Sequence, residues 1–178
     1  MNEAIHAVSM VLYRRAQCSG GTFAFTFTLK DRGSDLLTRH FSVFKTAYSL
    51  VHKRWPFETI AAVVLPDHVH VVWKLPEDDS DYSVRIRLIK TLFTKGLARD
   101  GIHFKSLGKA ERACWQRRFW EHQIRDETDL QRQVAYIHIN PVKHGFVEHV
   151  KDWPYSTFHR YVRTGILPID WASDSRVD

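Results

Sequence analysis

Cysteine is scarce in this chain: only Cys18 and Cys114 occur among 178 residues. Two thiols so far apart give neither a disulfide framework nor a zinc-type cysteine cluster, and both read as reduced thiols of a cytoplasmic protein. No apolar run approaches the ~18 residues of a membrane span. The start, Met1-Asn2-Glu3-Ala4-Ile5-His6, lacks the basic opening of a secretory signal. Internal repeats and low-complexity linkers are missing as well. What is present is a folding composition, 44% hydrophobic, with a net charge of +6 that suits a polyanionic partner. The length fits one domain over 1–178, with 1–21 as a lead-in segment and 142–178 as a C-terminal extension.

Strand and helix patterns alternate along the chain. After the turn Ser19-Gly20-Gly21, the residues Phe23, Phe25, Phe27 and Leu29 alternate with Ala24, Thr26 and Thr28, which predicts a strand with one apolar face. Ser34 to Arg54 predicts a helix carrying Leu37, Phe41, Phe44, Tyr48 and Val51 toward a sheet. Phe57–Leu65 and His68–Leu75 read as two strands of a hairpin, split by Pro66-Asp67. The acidic turn Glu77 to Asp81 suits the N-terminus of a helix over Ser83–Arg99. Phe119–Ile124 reads as a last strand before one more helix. This order is the split βαβ pattern of ferredoxin-like, RRM-like α+β folds. It predicts an antiparallel sheet with two helices on one face and a C-terminal tyrosine-bearing helix partly covering the other.

The residues that carry chemistry stand in two places. In Val63-Val64-Leu65-Pro66-Asp67-His68-Val69-His70-Val71-Val72-Trp73, period-two alternation sends His68 and His70 to one face. Two imidazoles ~7 Å apart along a strand can share a metal ion; two surface histidines on an edge strand is the plain alternative. In the later helix, Thr128-Asp129-Leu130-Gln131 has the form of a capping box and Pro141 marks a stop. Leu130, Val134 and Ile137 form its buried stripe. Tyr136 and Asn140, one turn apart on another flank, can approach the same point, or simply share a solvated surface. His138 projects to a different side.

Taken together, these parts resemble the HUH nucleases, through His68-Val69-His70, and the single-tyrosine transposases. The latter likeness lies in Trp115-Gln116-Arg117-Arg118-Phe119-Trp120-Glu121-His122 and Tyr136-Ile137-His138-Ile139-Asn140-Pro141-Val142-Lys143-His144-Gly145. The tail Trp153-Pro154-Tyr155-Ser156-Thr157-Phe158-His159-Arg160-Tyr161 narrows the resemblance to the REP-associated tyrosine transposases, bacterial proteins linked to repetitive extragenic palindromes. It runs from about Tyr13 to Trp171. One departure is that Asn140 stands where related insertion-sequence transposases often have Gln.

The resemblance implies a metal-dependent single-stranded DNA endonuclease and strand transferase acting on REP-type hairpins. Tyr136 would be the nucleophile, forming a 5′-phosphotyrosine; His68, His70 and Asn140 would hold a divalent metal. Histidine ligands suit Zn²⁺ or Mn²⁺, whereas the family implies Mg²⁺ or Mn²⁺. Tyr13, Arg14, Arg15, Arg117 and Arg118 lie in family-like stretches and are the candidate DNA-binding residues. Arg85, Arg87, Lys90, Lys95 and Arg99 crowd one helix and would either track a DNA backbone or form a solvated face. His122 is either a supporting partner of the site or an ordinary strand histidine. Trp153 to Tyr161 is expected to be C-terminal packing. The expected setting is a cytoplasmic, nucleoid-associated monomer or homodimer. The rival readings are a domesticated hairpin-binding protein without physiological cleavage and, less favoured, a ferredoxin-like RNA-binding module.

Overall fold

The alternation that begins at Thr22 places Phe23, Phe25 and Phe27 on one side of a strand, where all three are buried. In the computed structural model, which describes residues 18–104 and 114–173, that strand is β1 (Thr22–Thr28). It is followed by α1 (Leu36–Arg39), α2 (Phe41–Arg54), β2 (Glu58–Val64), β3 (His68–Lys74) and α3 (Tyr82–Arg99). Then come β4 (Trp120–Gln123), α4 (Glu127–Lys143), a short 3-10 turn at Val150–Asp152 and α5 (Phe158–Arg163). The four strands form an antiparallel sheet in the order β2-β3-β1-β4, the arrangement that the split pattern predicts. β3 is an interior strand, so its histidines do not lie on an edge.

α2 and α3 pack together and cover one face. There Phe23, Phe25, Phe27, Val69, Val71 and Trp73 meet Phe44, Val51, Ile86, Ile89 and Phe93 in the main core. Burying one such side chain contributes roughly 1.5–3 kcal/mol, so this layer dominates stability. The two helices approach closely at Gly96, where an added Cβ would lie 2.3 Å from Val43 Cγ1. α4 covers the opposite face, against β2 and β3, over a smaller core that includes Ala24, Ala61, Val63, Val72 and Ile137. The chain after α4 then closes the free edge of β2. Val64 N donates to Tyr155 O, Thr157 N donates to Ala62 O, and the Trp153 indole N–H donates to Val64 O. An edge strand covered in this way offers no template for further pairing. Trp153 to Tyr161 is therefore packing, as the sequence suggests.

Four local expectations are corrected. The helix expected over Ser34–Arg54 bends at His40 into α1 and α2, because Leu37 N donates to Pro66 O at the β2–β3 turn and holds α1 out of line. α4 begins at Asp126, not Thr128: the Asp126 carboxylate accepts from Asp129 N at 2.8 Å, so the cap lies two residues earlier. Pro141 does not stop α4, which continues to Lys143. A proline so near the end forfeits one backbone bond, and Gly145, at φ 68°, turns the chain out of the helix. Finally, Arg85 tracks no DNA backbone. It is buried, clamped by Asp79 at 2.6 and 3.0 Å and by the carbonyls of Trp55 and Pro56. Among the described residues, no helix is long and apolar enough to cross a membrane.

Candidate active site

His68 and His70 leave β3 on the face that α4 covers. Both are buried, and their ring centroids stand 4.8 Å apart, closer than the strand spacing alone gives. Each ring is oriented by a neighbour. Asp67 Oδ1 accepts from His68 Nδ1 at 2.7 Å, while Arg32 Nε holds the other carboxylate oxygen at 2.8 Å. A carboxylate only accepts, so this contact fixes the His68 proton on Nδ1 and leaves a lone pair on Nε2. Thr26, directly across from His70 on β1, bonds His70 Nδ1 at 2.7 Å through Oγ1. Burial lowers the pKa of both imidazoles. That of His70 falls to about 3, through desolvation first and then the charges of His68, His144 and Arg32. At neutral pH both rings are uncharged, the form that binds a cation.

α4 lays its polar flank over this pair. The Tyr136 ring lies 5.5 Å from His70, and the His144 ring lies 5.2 Å from His68. The helix therefore runs opposite to β3 along the histidine pair. Asn140, one turn from each of those residues, falls between them. Asn140 is buried, whereas Tyr136 keeps 43% of its surface exposed. Lys143 Nζ sits 5.7 Å from the Tyr136 ring centroid and adds positive charge beside it.

The donor set suits a divalent metal. Among the described residues, His70 Nε2 and Asn140 Oδ1 are both buried and have no hydrogen-bond partner. Buried polar atoms are rarely left so, and each costs about 1–3 kcal/mol unless something occupies it. Among the described residues no three His, Cys, Asp or Glu side chains cluster as a metal site, so a third protein donor would be the Asn140 amide oxygen. Two neutral imidazoles and one carbonyl oxygen fit a divalent cation with open positions.

The structure thus sets Tyr136 beside the His68–His70 pair, with Asn140 one helical turn further along α4. Arg117 and Arg118 are exposed on the segment leading into β4. Tyr13, Arg14 and Arg15 lie outside the described residues. His138 does project away from the site: it is buried against Tyr161 and Phe158, bonded to Thr157 Oγ1, with its pKa lowered to about 4 by burial and by Arg160. His122 does not approach the histidine pair but bonds Asp129 at 2.8 Å. Sequence reasoning missed Asp67, Thr26, Arg32 and His144 as supports of the site. Only Asp67, adjacent to His68, carried a readable signal.

No family model matches the chain. It is 47% identical over 164 residues to a Haemophilus influenzae protein assigned to the REP-associated tyrosine transposases, covering 91% of this chain and 93% of that one. It is 48% identical over 162 residues to an Escherichia coli K12 REP-associated tyrosine transposase, covering 91% of each. A solved REP-associated tyrosine transposase bound to a REP hairpin matches with a TM-score of 0.81 at 48% identity, over 92% of each chain.

Proposed function

Because the chain belongs to the REP-associated tyrosine transposases, we propose that it nicks and rejoins single-stranded DNA beside REP-type hairpins, with Tyr136 as the nucleophile. The observation that carries this reading is the half-exposed Tyr136 set 5.5 Å from a buried histidine whose Nε2, like Asn140 Oδ1, has no partner among the described residues. Tyr136 Oη attacks a backbone phosphorus as its proton leaves. The P–O3′ bond breaks, O3′ takes up a proton, and the strand 5′ to the cut departs with a 3′-hydroxyl. The other strand stays on Tyr136 as a 5′-phosphotyrosine. Attack by a second 3′-hydroxyl reverses the step and joins strands without an external energy source. His68, His70 and Asn140 would hold Mg²⁺ or Mn²⁺, which supplies charge neutralisation at the phosphoryl oxygens. Asp67 and Thr26 keep both imidazoles in place, and Lys143 offsets phosphate charge beside the phenol. Arg117 and Arg118, with Tyr13, Arg14 and Arg15, would contact the DNA backbone and make binding weaken with salt. A flexible single strand can bend into the space under α4, whereas a relaxed duplex holds its phosphates away.

The test is incubation of the protein with a single-stranded REP-type hairpin and Mn²⁺, read as a covalent adduct on a denaturing gel. The expected result is an adduct in the wild type and none in Tyr136→Phe, with hairpin affinity nearly equal. Hairpin binding with no adduct in the wild type would instead establish a binding protein that does not cleave. Equal cleavage of fully paired duplex would overturn the single-strand requirement.

A further inference from the structure

The cleft that His70 and Tyr136 share extends past them across β1 to β4. That cleft, about 270 Å³, is lined by Ala24, Thr26, His70, Trp120, Gln133 and Tyr136. Its shape follows from the strand register. Thr26 pairs with His70 on one side and with Trp120 on the other, and directly paired residues share a face. Trp120 therefore stands two strands, roughly 10 Å, from His70, with only the small Thr26 between them. Ala24, the next residue of β1 on this face, is smaller still. Small residues make the floor, and Gln133 and Tyr136, one turn apart on α4, close the top.

Trp120 is 53% exposed, at odds with its size and apolarity. It is nonetheless held in place. Its ring stacks on His122 at 5.8 Å and 10°, and His122 Nε2 is bonded by both oxygens of Asp129, at 2.8 and 3.0 Å. A fixed, exposed aromatic ring costs little entropy when a flat partner lies on it. Gln133, half-buried, offers a donor and an acceptor in the same cleft, the pair of functions that a base edge needs.

We propose that this cleft holds one unpaired nucleobase of the attacked strand, stacked on Trp120 with its edge toward Gln133. The proposal rests on the DNA-cleaving reading, since the cleft opens beside the nucleophile. Thr26, His70 and Gln133 set polar groups among an apolar lining that includes Ala24, Trp120 and Ile137, a mixture that suits a flat base with a polar edge. The slot fixes which phosphate meets Tyr136 by seizing the base beside it, and so sets the position of the cut.

The experiment is fluorescence anisotropy of a labelled REP-type hairpin with an unpaired flank, in the Tyr136→Phe background so that no cleavage intervenes. Each flank base is replaced in turn by an abasic site. Trp120→Ala should weaken binding by about 5- to 150-fold, the loss of one base stack. One abasic position should cost a similar factor, and the two losses should not add. Trp120→Phe should recover most of the affinity, and Gln133→Ala should lose a few-fold only when that base is present. Unchanged affinity in Trp120→Ala, or additive losses at every flank position, would overturn the proposal. If Trp120→Ala fails to fold by thermal melting, Gln133→Ala against the abasic set decides: a loss tied to one position supports the slot, and a uniform loss or none refutes it. Non-additivity in a protein that forms no adduct would leave the slot standing while the cleavage reading fails.

Discussion

On the face that α2 and α3 cover, β1 and β3 send in only apolar side chains, Phe23, Phe25, Phe27, Val69, Val71 and Trp73. On the face that α4 covers, the same two strands present Thr26, His68 and His70 beside Ala24 and Val72. Among the described residues, two buried polar atoms there or on the facing flank of α4 lack a partner: His70 Nε2 and Asn140 Oδ1. A sheet optimised for stability would not carry these. The first face pays for the second, and the local violations mark where function sits.

The sharpest way to break this comparison is to substitute one residue from each face. His70→Ala should reduce adduct formation on the order of 10³-fold, matching the several kcal/mol of charge stabilisation lost with a metal site. Its unfolding free energy should change by no more than about 1 kcal/mol, because an unpaired buried group leaves with the ring. Phe25→Ala should do the reverse, costing about 3–5 kcal/mol in a denaturant titration. If His70→Ala destabilises the fold as much as Phe25→Ala does, the two faces are not different in kind.

Acid should act elsewhere, where α4 packs on α5. His138 has its pKa lowered to about 4 by burial and then by the Arg160 charge. Below pH ~6.5 the unfolded chain gains a proton that the folded chain refuses until about pH 4, so stability falls as pH falls through that window. The loss should reach about 3 kcal/mol, and His138→Gln should lack it. Denaturant midpoints taken at about pH 7 and about pH 4.5 are the measurement, and identical slopes in the two proteins would exclude His138 as the source. A smaller effect is expected from Asp67→Asn, which removes the charge holding His68 and Arg32. Metal affinity by calorimetry should drop ~10- to 100-fold, and an unchanged affinity would show that Asp67 orients nothing that matters.

The strands and the histidine pair were legible because period-two alternation is a local signal: Phe23 to Thr28 and His68 to Trp73 declare their faces residue by residue. Tyr136 and Asn140 were legible as a pair for the same reason, one helical turn apart. What failed to show was set by distant partners. Thr26 meets His70 across 44 positions, and Arg32 reaches Asp67 from the loop after β1. Arg85 looked like surface charge because nothing local reveals that Trp55, Pro56 and Asp79 will surround it. The capping-box form at Thr128 does not reveal that Asp126 takes the cap, because both residue types cap well and only the backbone position decides between them.

α4 and β3 belong to one polypeptide, and the ring-to-ring contacts Tyr136–His70 and His144–His68 form within it. Under the proposed function, the nucleophile then meets histidines of its own chain. Dilution cannot take such a site apart. Turnover per molecule should hold constant as the protein is thinned out, until occupancy of the DNA itself declines. A mixture of Tyr136→Phe and His70→Ala molecules should not complement one another.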